Sequence, residues 1–176
     1  GQVIDHRSGQ VNLGSVETSG IDFSVTYDFT VGSFGDFTVG VSGNKLEDWK
    51  EFQDPIDTTV FEDRVGEFTY PEYIMNGRVN WTLGALSLGW AVRYEDSQLL
   101  PGISNEDLAA NPLFVDPNNT GRGIVHNISG SYEVSDNLTV RGAIRNAFDE
   151  HPYLGTLSRP AGPMGRFFSV TAQYRM

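Results

Sequence analysis

Apolar and polar residues alternate with a period of two along most of this chain, the mark of extended strands with one apolar face. In IDFSVTYDF, Ile21, Phe23, Val25, Tyr27 and Phe29 share one face, while Asp22, Ser24, Thr26 and Asp28 share the other. The rhythm returns in FTVGVSG (37–43), MNGRVNWTL (75–83), LSLGWAVRYE (86–95), IVHNISGSYEV (124–134), LTVRGAIRNAF (138–148) and FSVTAQYRM (168–176). These segments predict seven strands, and no helical period competes with them.

The connections carry a second pattern. TVGSFGD (30–36), GA (84–85) and SDN (135–137) are short turns, and they alternate strictly with long segments at 46–67, 96–122 and 149–165. In an antiparallel sheet all three long segments emerge at one end. Connections of that length are uncommon in compact domains unless they are functional or disordered. Any ligand contact is therefore expected from the long segments and not from the short turns.

A sheet with one apolar face suits a soluble sandwich or lipocalin-like barrel, with that face inward, or a membrane barrel, with it outward. The runs of nine to eleven alternating residues match the roughly 9–11 needed to cross a bilayer at a tilt. Aromatic residues gather near strand ends, at Tyr27, Phe29, Phe34 and Phe37, at Phe68, Tyr70 and Tyr73, and at Tyr174. Such rings suit the headgroup level of a membrane. The polar face becomes a lumen lined by Arg78, Arg93, Arg141 and Arg145, with Arg175, Asp22, Asp28, Glu95 and Glu133 on the same side. Unpaired charges of this kind are too costly for an apolar interior. The fold class expected is thus all-β, an antiparallel transmembrane β-barrel. Seven antiparallel strands cannot close on themselves, because the first and last run in the same direction. Either residues 1–20 supply an eighth strand, or the seven belong to a larger barrel. Residues 1–20 read as an extracellular segment or short hairpin leading into the first full strand, and 21–176 as the barrel portion.

Composition narrows this further. The 176 residues carry a net charge of −11, which argues against nucleic acid, whose phosphates need clustered Lys and Arg. There are no cysteines, so disulfides and thiolate metal or redox chemistry are excluded. No stretch approaches the roughly 20 apolar residues of a membrane helix. The opening GQVIDHRSGQ lacks the charged start and apolar run of a signal peptide, and the chain reads as mature, processed or a fragment.

NLTVRGAIRNAFDEHPY followed by GRFFSVTAQYRM resembles the C-terminal end of TonB-dependent outer-membrane receptors. The residues that carry the likeness are Asn146, Phe148, Asp149 and Pro152, then Gly165, Arg166 and Phe167. Ala147 stands where a leucine is more usual. NLGSVETSGIDFSVTYDF is also similar to the family, so the likeness runs from Asn12 to Met176. The resemblance implies that the closing strand, with Phe168, Val170, Ala172, Tyr174 and Met176 at alternate positions, is the signal read by the barrel-assembly machinery. The family usually closes on an aromatic residue, where this chain has Met176. The resemblance further implies a barrel of about 22 strands with a plugged lumen, of which this chain supplies the C-terminal seven. Its partners would be outer-membrane lipid, the remaining strands and plug domain, and an inner-membrane energy-coupling protein. Its activity would be uptake of a scarce ligand such as a ferric siderophore, haem, cobalamin or a glycan across the bacterial outer membrane. The alternative from another class is a self-contained small outer-membrane barrel with a structural or adhesion role.

The remaining candidate chemistry is sparse. The acid-rich segment Glu47 to Glu67 could offer oxygens to Ca²⁺, yet it lacks EF-hand spacing and reads as a solvated loop. DPNNTG (116–121) reads as a turn. His6, His126 and His151 match no metal-ligand spacing, and His126 falls on the lipid side near the long-loop rim. His151 with Asp149 and Glu150 is the one local cluster of a catalytic type, and no nucleophile motif accompanies it, so no enzymatic activity and no cofactor are expected. The inward arginines would form a ladder for an anionic substrate or pair with lumen carboxylates or a plug. NWT, NNT, NIS and NLT fit the glycosylation pattern, which means nothing in a bacterial chain.

Overall fold

The computed structural model describes residues 14–52, 57, 59–111, 119–153 and 161–175. They form one antiparallel sheet. Its strands are β1 (Ser15–Thr30), β2 (Asp36–Phe52), β3 (Glu62–Asp63), β4 (Tyr73–Leu83), β5 (Leu86–Glu95), β6 (Gly123–Ser135), β7 (Leu138–Arg145) and β8 (Phe167–Tyr174). The path runs β1-β2-β4-β5-β6-β7-β8, with the two-residue β3 pairing β2. The seven long strands are those the alternation predicts, and the short turns fall at 31–35, 84–85 and 136–137.

Register confirms that the two faces are continuous. Phe29, Phe37, Trp81, Leu88, Gly130, Gly142 and Val170 lie in one row across seven strands. The adjacent row on the opposite face is Thr30, Asp36, Thr82, Ser87, Ser131, Arg141 and Thr171. A slip of one residue would put every side chain of a strand on the wrong face, so the pattern fixes the pairing. At the short-turn end, Tyr27, Phe29, Phe37 and Trp81 form a chain of ring contacts, with centroids 5.6, 5.3 and 6.4 Å apart. The Trp81 indole donates to the Phe34 carbonyl at 2.6 Å and ties this belt to the first turn.

The apolar face is not a core. Val170 is 80% and Tyr27 66% exposed, and among the described residues the buried apolar ones are Phe52, Leu99 and Ala161, all at the long-loop end. A contiguous apolar surface spanning seven strands is far beyond what a soluble monomer leaves in water. The sheet is also open. Among the described residues β1 pairs with β2 alone and β8 with β7 alone, and the antiparallel alternation makes these two edges run in the same direction.

Several elements differ from the sequence expectation. β1 begins at Ser15, six residues before Ile21, within a segment whose SVETSG offers almost no apolar signal. β2 continues to Phe52 through a bulge at Glu47, where Leu46 faces Gly20 and Asp48 faces Ser19. The bulge shifts the alternation by one residue and hides the extension. β7 stops at Arg145 instead of running on to Phe148, because Asn146 takes a positive φ of 51°. A short helix α1 (Asn105–Ala110) lies in the connection between β5 and β6.

Candidate functional site

Among the described residues, the buried polar side chains gather at the long-loop end. Gln98, 2% exposed, stands at its centre. Its Nε2 donates to Glu95 at 2.8 Å, its Oε1 accepts from the Thr69 backbone at 2.8 Å, and its own N–H donates to the Thr120 hydroxyl at 3.0 Å. Glu95 in turn pairs with Arg93 at 3.1 Å. A continuous polar chain therefore runs from the arginine on the sheet's polar face to both long loops. The Leu99 N–H adds a bond to the Gly66 carbonyl at 2.8 Å.

Arg64 organises the acidic segment. Its three guanidinium nitrogens reach Glu51 at 3.1 Å, Glu62 at 2.6 Å and Glu67 at 2.9 Å. These bonds, Glu67's first, hold its pKa above the ordinary arginine value, so the charge is permanent. Glu67 is buried, and its second oxygen accepts the Asn105 N–H at 2.8 Å. The Asn105 amide donates to the carbonyls of Asp63 and Val65 at 2.7 and 3.0 Å. Helix α1 is thereby clamped to the other loop. Its own start is a capping box in which Ser104 and Asp107 exchange bonds. The Ser104 backbone and hydroxyl hold the Asp107 carboxyl below the usual carboxylate range. Among its described residues, the segment read as a solvated loop holds the end of β2, the short β3 and the ion pairs of Arg64. Among the described residues, no group of three or more histidines and carboxylates is arranged to hold a metal ion.

Between the two loops lies a cleft of 450 Å³, walled by Phe68, Tyr70 and Pro101 and edged by Glu51, Arg64 and Glu67. Small-molecule sites commonly run to about 300–1,000 Å³. Trp49 packs behind it on Tyr70, with centroids 4.7 Å apart. The arrangement offers stacking surfaces beside charged hydrogen-bonding groups.

The C-terminal motif residues are brought together at the same end. Asn146 is 6% exposed, and Asp149, also at positive φ (60°), accepts the Arg166 N–H at 2.8 Å. Gly165 has φ 62°, and a Cβ there would come within 2.9 Å of the Asp149 carboxylate. The motif therefore forms a hydrogen-bonded joint that ends β7 and admits β8. Phe148 projects outward, 71% exposed, and meets the edge of His126 with centroids 4.7 Å apart. Pro152 follows the joint, and Phe167 opens β8 opposite Arg145. Phe168, Val170, Ala172 and Tyr174 share the apolar face of β8, while Met176 and His6 lie outside the described residues. His151 stays at the joint, its Nδ1 against the Asp149 carbonyl.

All four arginines expected in a lumen lie on the polar face. Arg78 reaches Thr26 at 3.2 Å across Gly40, Arg93 pairs with Glu95, and Arg141 donates to Gln173 at 2.8 Å. Arg145 has no ion pair among the described residues. The floor between them is built of small residues, including Gly89, Ser129, Ala143 and Ser169.

An open sheet with one lipid-type face, one hydrophilic face and its long loops knitted at one end is the architecture of a membrane barrel wall. The model of the family described as TonB dependent receptor-like, beta-barrel, matches residues 2–147. The chain belongs to that family. The match takes in strands β1 to β7, the knitted rim and Asn146, and ends just before Phe148, with β8 beyond it. No curated protein matches the chain. TonB-dependent receptors are outer-membrane transporters, and the strands described above are barrel strands of that family.

Sequence reasoning missed the residues that knit the rim. Gln98 binds a backbone N–H 29 positions away and Asn105 binds two backbone carbonyls 40 and 42 positions away, which no local pattern announces. The capping box was visible as SNED, a serine three residues ahead of an aspartate.

Proposed function

We propose that this chain is the C-terminal barrel portion of an outer-membrane receptor that imports a scarce ligand, with the knitted loops facing the outside. The observation that carries the reading is the open sheet of a receptor-family chain, whose two parallel edges call for further strands between them. Unpaired edges in lipid leave backbone groups unsatisfied, and only closure removes that cost. In the closed barrel the arginine-bearing face lines the lumen, where a plug domain sits, and an inner-membrane protein supplies energy. The cleft beside Tyr70 and Arg64 is the first contact for a ligand such as a ferric siderophore, haem, cobalamin or glycan. Helix α1 and the Gln98 link hold that contact in shape.

The test is uptake by cells that depend on the full-length receptor, offered a panel of those four ligand classes with radiolabelled iron, cobalt or carbon. One class should accumulate, and accumulation should stop when the inner membrane is uncoupled. Uptake that persists without an energised inner membrane would sink the reading. Among the described residues the β1 and β8 edges do not pair, which favours the larger barrel over the small self-contained one.

A further inference from the structure

A histidine on the lipid-facing side of a barrel wall demands a reason, because ionisable groups at membrane depth are costly and tend to be functional. His126 sits on the apolar face between Ile124 and Ile128, opposite Val92. Its ring stacks on Trp90, with centroids 5.7 Å apart and planes 13° from parallel, and Phe148 meets it edge-on. The Trp90 indole donates to His126 Nδ1 at 3.2 Å. An indole N–H is only a donor, so Nδ1 is the acceptor and the neutral ring carries its proton on Nε2. The second nitrogen is therefore a fixed donor, held by two aromatic rings at the upper edge of the apolar face.

A cation stands beside it. Ala147 donates its N–H to the His126 backbone carbonyl at 2.7 Å and its carbonyl accepts from Arg166 Nη1 at 3.4 Å, so Ala147 bridges the His126 backbone and the Arg166 guanidinium. Arg166 precedes Phe167, which lies on the polar face, and the alternation puts Arg166 on the same side as His126. Its guanidinium is exposed and has no carboxylate partner among the described residues. Asp149, the nearest acid, spends one oxygen on the Arg166 backbone N–H and not on the guanidinium.

We infer that Trp90, His126, Phe148 and Arg166 form a binding site for a phosphate-bearing headgroup of net negative charge, on a membrane lipid in the leaflet next to the long loops. The rings seat the upper acyl chain and glycerol region, His126 Nε2 donates to an ester or phosphate oxygen, and Arg166 pairs with the phosphate. The occupant is a lipid and not a soluble anion, because the site opens on the apolar face and continues into it through Ile128 and Ile144. This rests on the membrane orientation proposed above.

The test uses the full-length receptor in nanodiscs of phosphatidylcholine and phosphatidylglycerol in equal amounts, with retained lipid counted by native mass spectrometry after mild delipidation. The receptor should retain phosphatidylglycerol over phosphatidylcholine by about five-fold, the preference expected of one well-placed arginine near a membrane surface. Arg166→Gln should abolish the preference. His126→Phe, which keeps the ring stack and loses the donor, should reduce it. Heat-modifiable migration of both variants reports that the barrel is intact. An unchanged preference in both variants would overturn the site, as would displacement of the lipid by inorganic phosphate. A receptor that does not enter nanodiscs at all would overturn the membrane orientation and the lipid site with it.

Discussion

Asn146 holds the backbone of Glu150 from both sides, donating from Nδ2 to its carbonyl at 2.7 Å and accepting its N–H on Oδ1 at 2.8 Å. The same residue takes the positive φ that ends β7, and its N–H is bound by Asn127 at 3.0 Å. A side-chain amide is the one group with a donor and an acceptor at that spacing that also tolerates left-handed backbone.

Asn146→Ala should therefore cost roughly 2–4 kcal/mol, from two lost hydrogen bonds and backbone strain together. Urea unfolding of the receptor in lipid vesicles measures it. Asn146→Gly relieves the strain alone and should lose less, and equal losses in the two variants would show that the backbone conformation plays no part.

Removing the Gln98 side chain should open both long loops at once. Gln98→Ala removes the hydrogen bonds that Gln98 makes to the Thr69 N–H and to the buried Glu95, a local penalty of about 2–3 kcal/mol. Hydrogen exchange should rise in 66–70 and in 119–121 while the strands β4 to β7 stay protected. Faster exchange in only one of the loops would refute the link.

Gly35 closes the first turn at φ 98°, and a Cβ there would run into the backbone carbonyl of Thr82 on the neighbouring strand. Backbone cannot yield as a flexible side chain can. Gly35→Ala should thus lower the yield of folded, heat-modifiable protein severalfold, whereas Gly32→Ala, with open space around it, should cost only the strain of its positive φ. Similar yields from the two variants would contradict the clash.

The cap of α1 should respond to acid in one direction. The Asp107 carboxyl titrates lower in the folded chain than its ordinary value near 4, because the Ser104 backbone and hydroxyl favour its charged form. The stability it adds is complete above that value and disappears as pH falls through the lowered one. Amide exchange at Asp107 and Leu108, corrected for its intrinsic pH dependence, should stay level between pH 5 and 8 and rise under stronger acid. Asp107→Asn should remove the acid dependence.

The barrel wall was legible because its physics is local and repetitive. Each strand must show one face to lipid and the other to water, so Phe23, Val25 and Tyr27, or Leu86, Leu88 and Trp90, announce themselves by spacing alone. The turns were legible for the same reason, since they interrupt the rhythm. The rim was not. Its strand extension past Leu46 is disguised by the bulge, β3 is two residues long, and Gln98 and Glu67 matter only through groups brought in from the other loop. The C-terminal motif lies between these extremes. Resemblance singled out Asn146, Asp149, Gly165 and Arg166, and the structure supplies what they share: two positive-φ residues, a glycine under a carboxylate, and a backbone bond that joins β7 to β8.

Among the described residues, Phe52, Leu99 and Ala161 alone are buried and apolar, and all three sit at the long-loop end of the sheet. Most of the chain's hydrophobic free energy is consequently realised not by self-contact but by transfer between solvents. Its folding is a partition reaction as much as a conformational one, and the unfolded state in water competes with aggregation on one side and lipid on the other. The thickness and fluidity of the surrounding bilayer thus enter its stability on equal terms with its sequence.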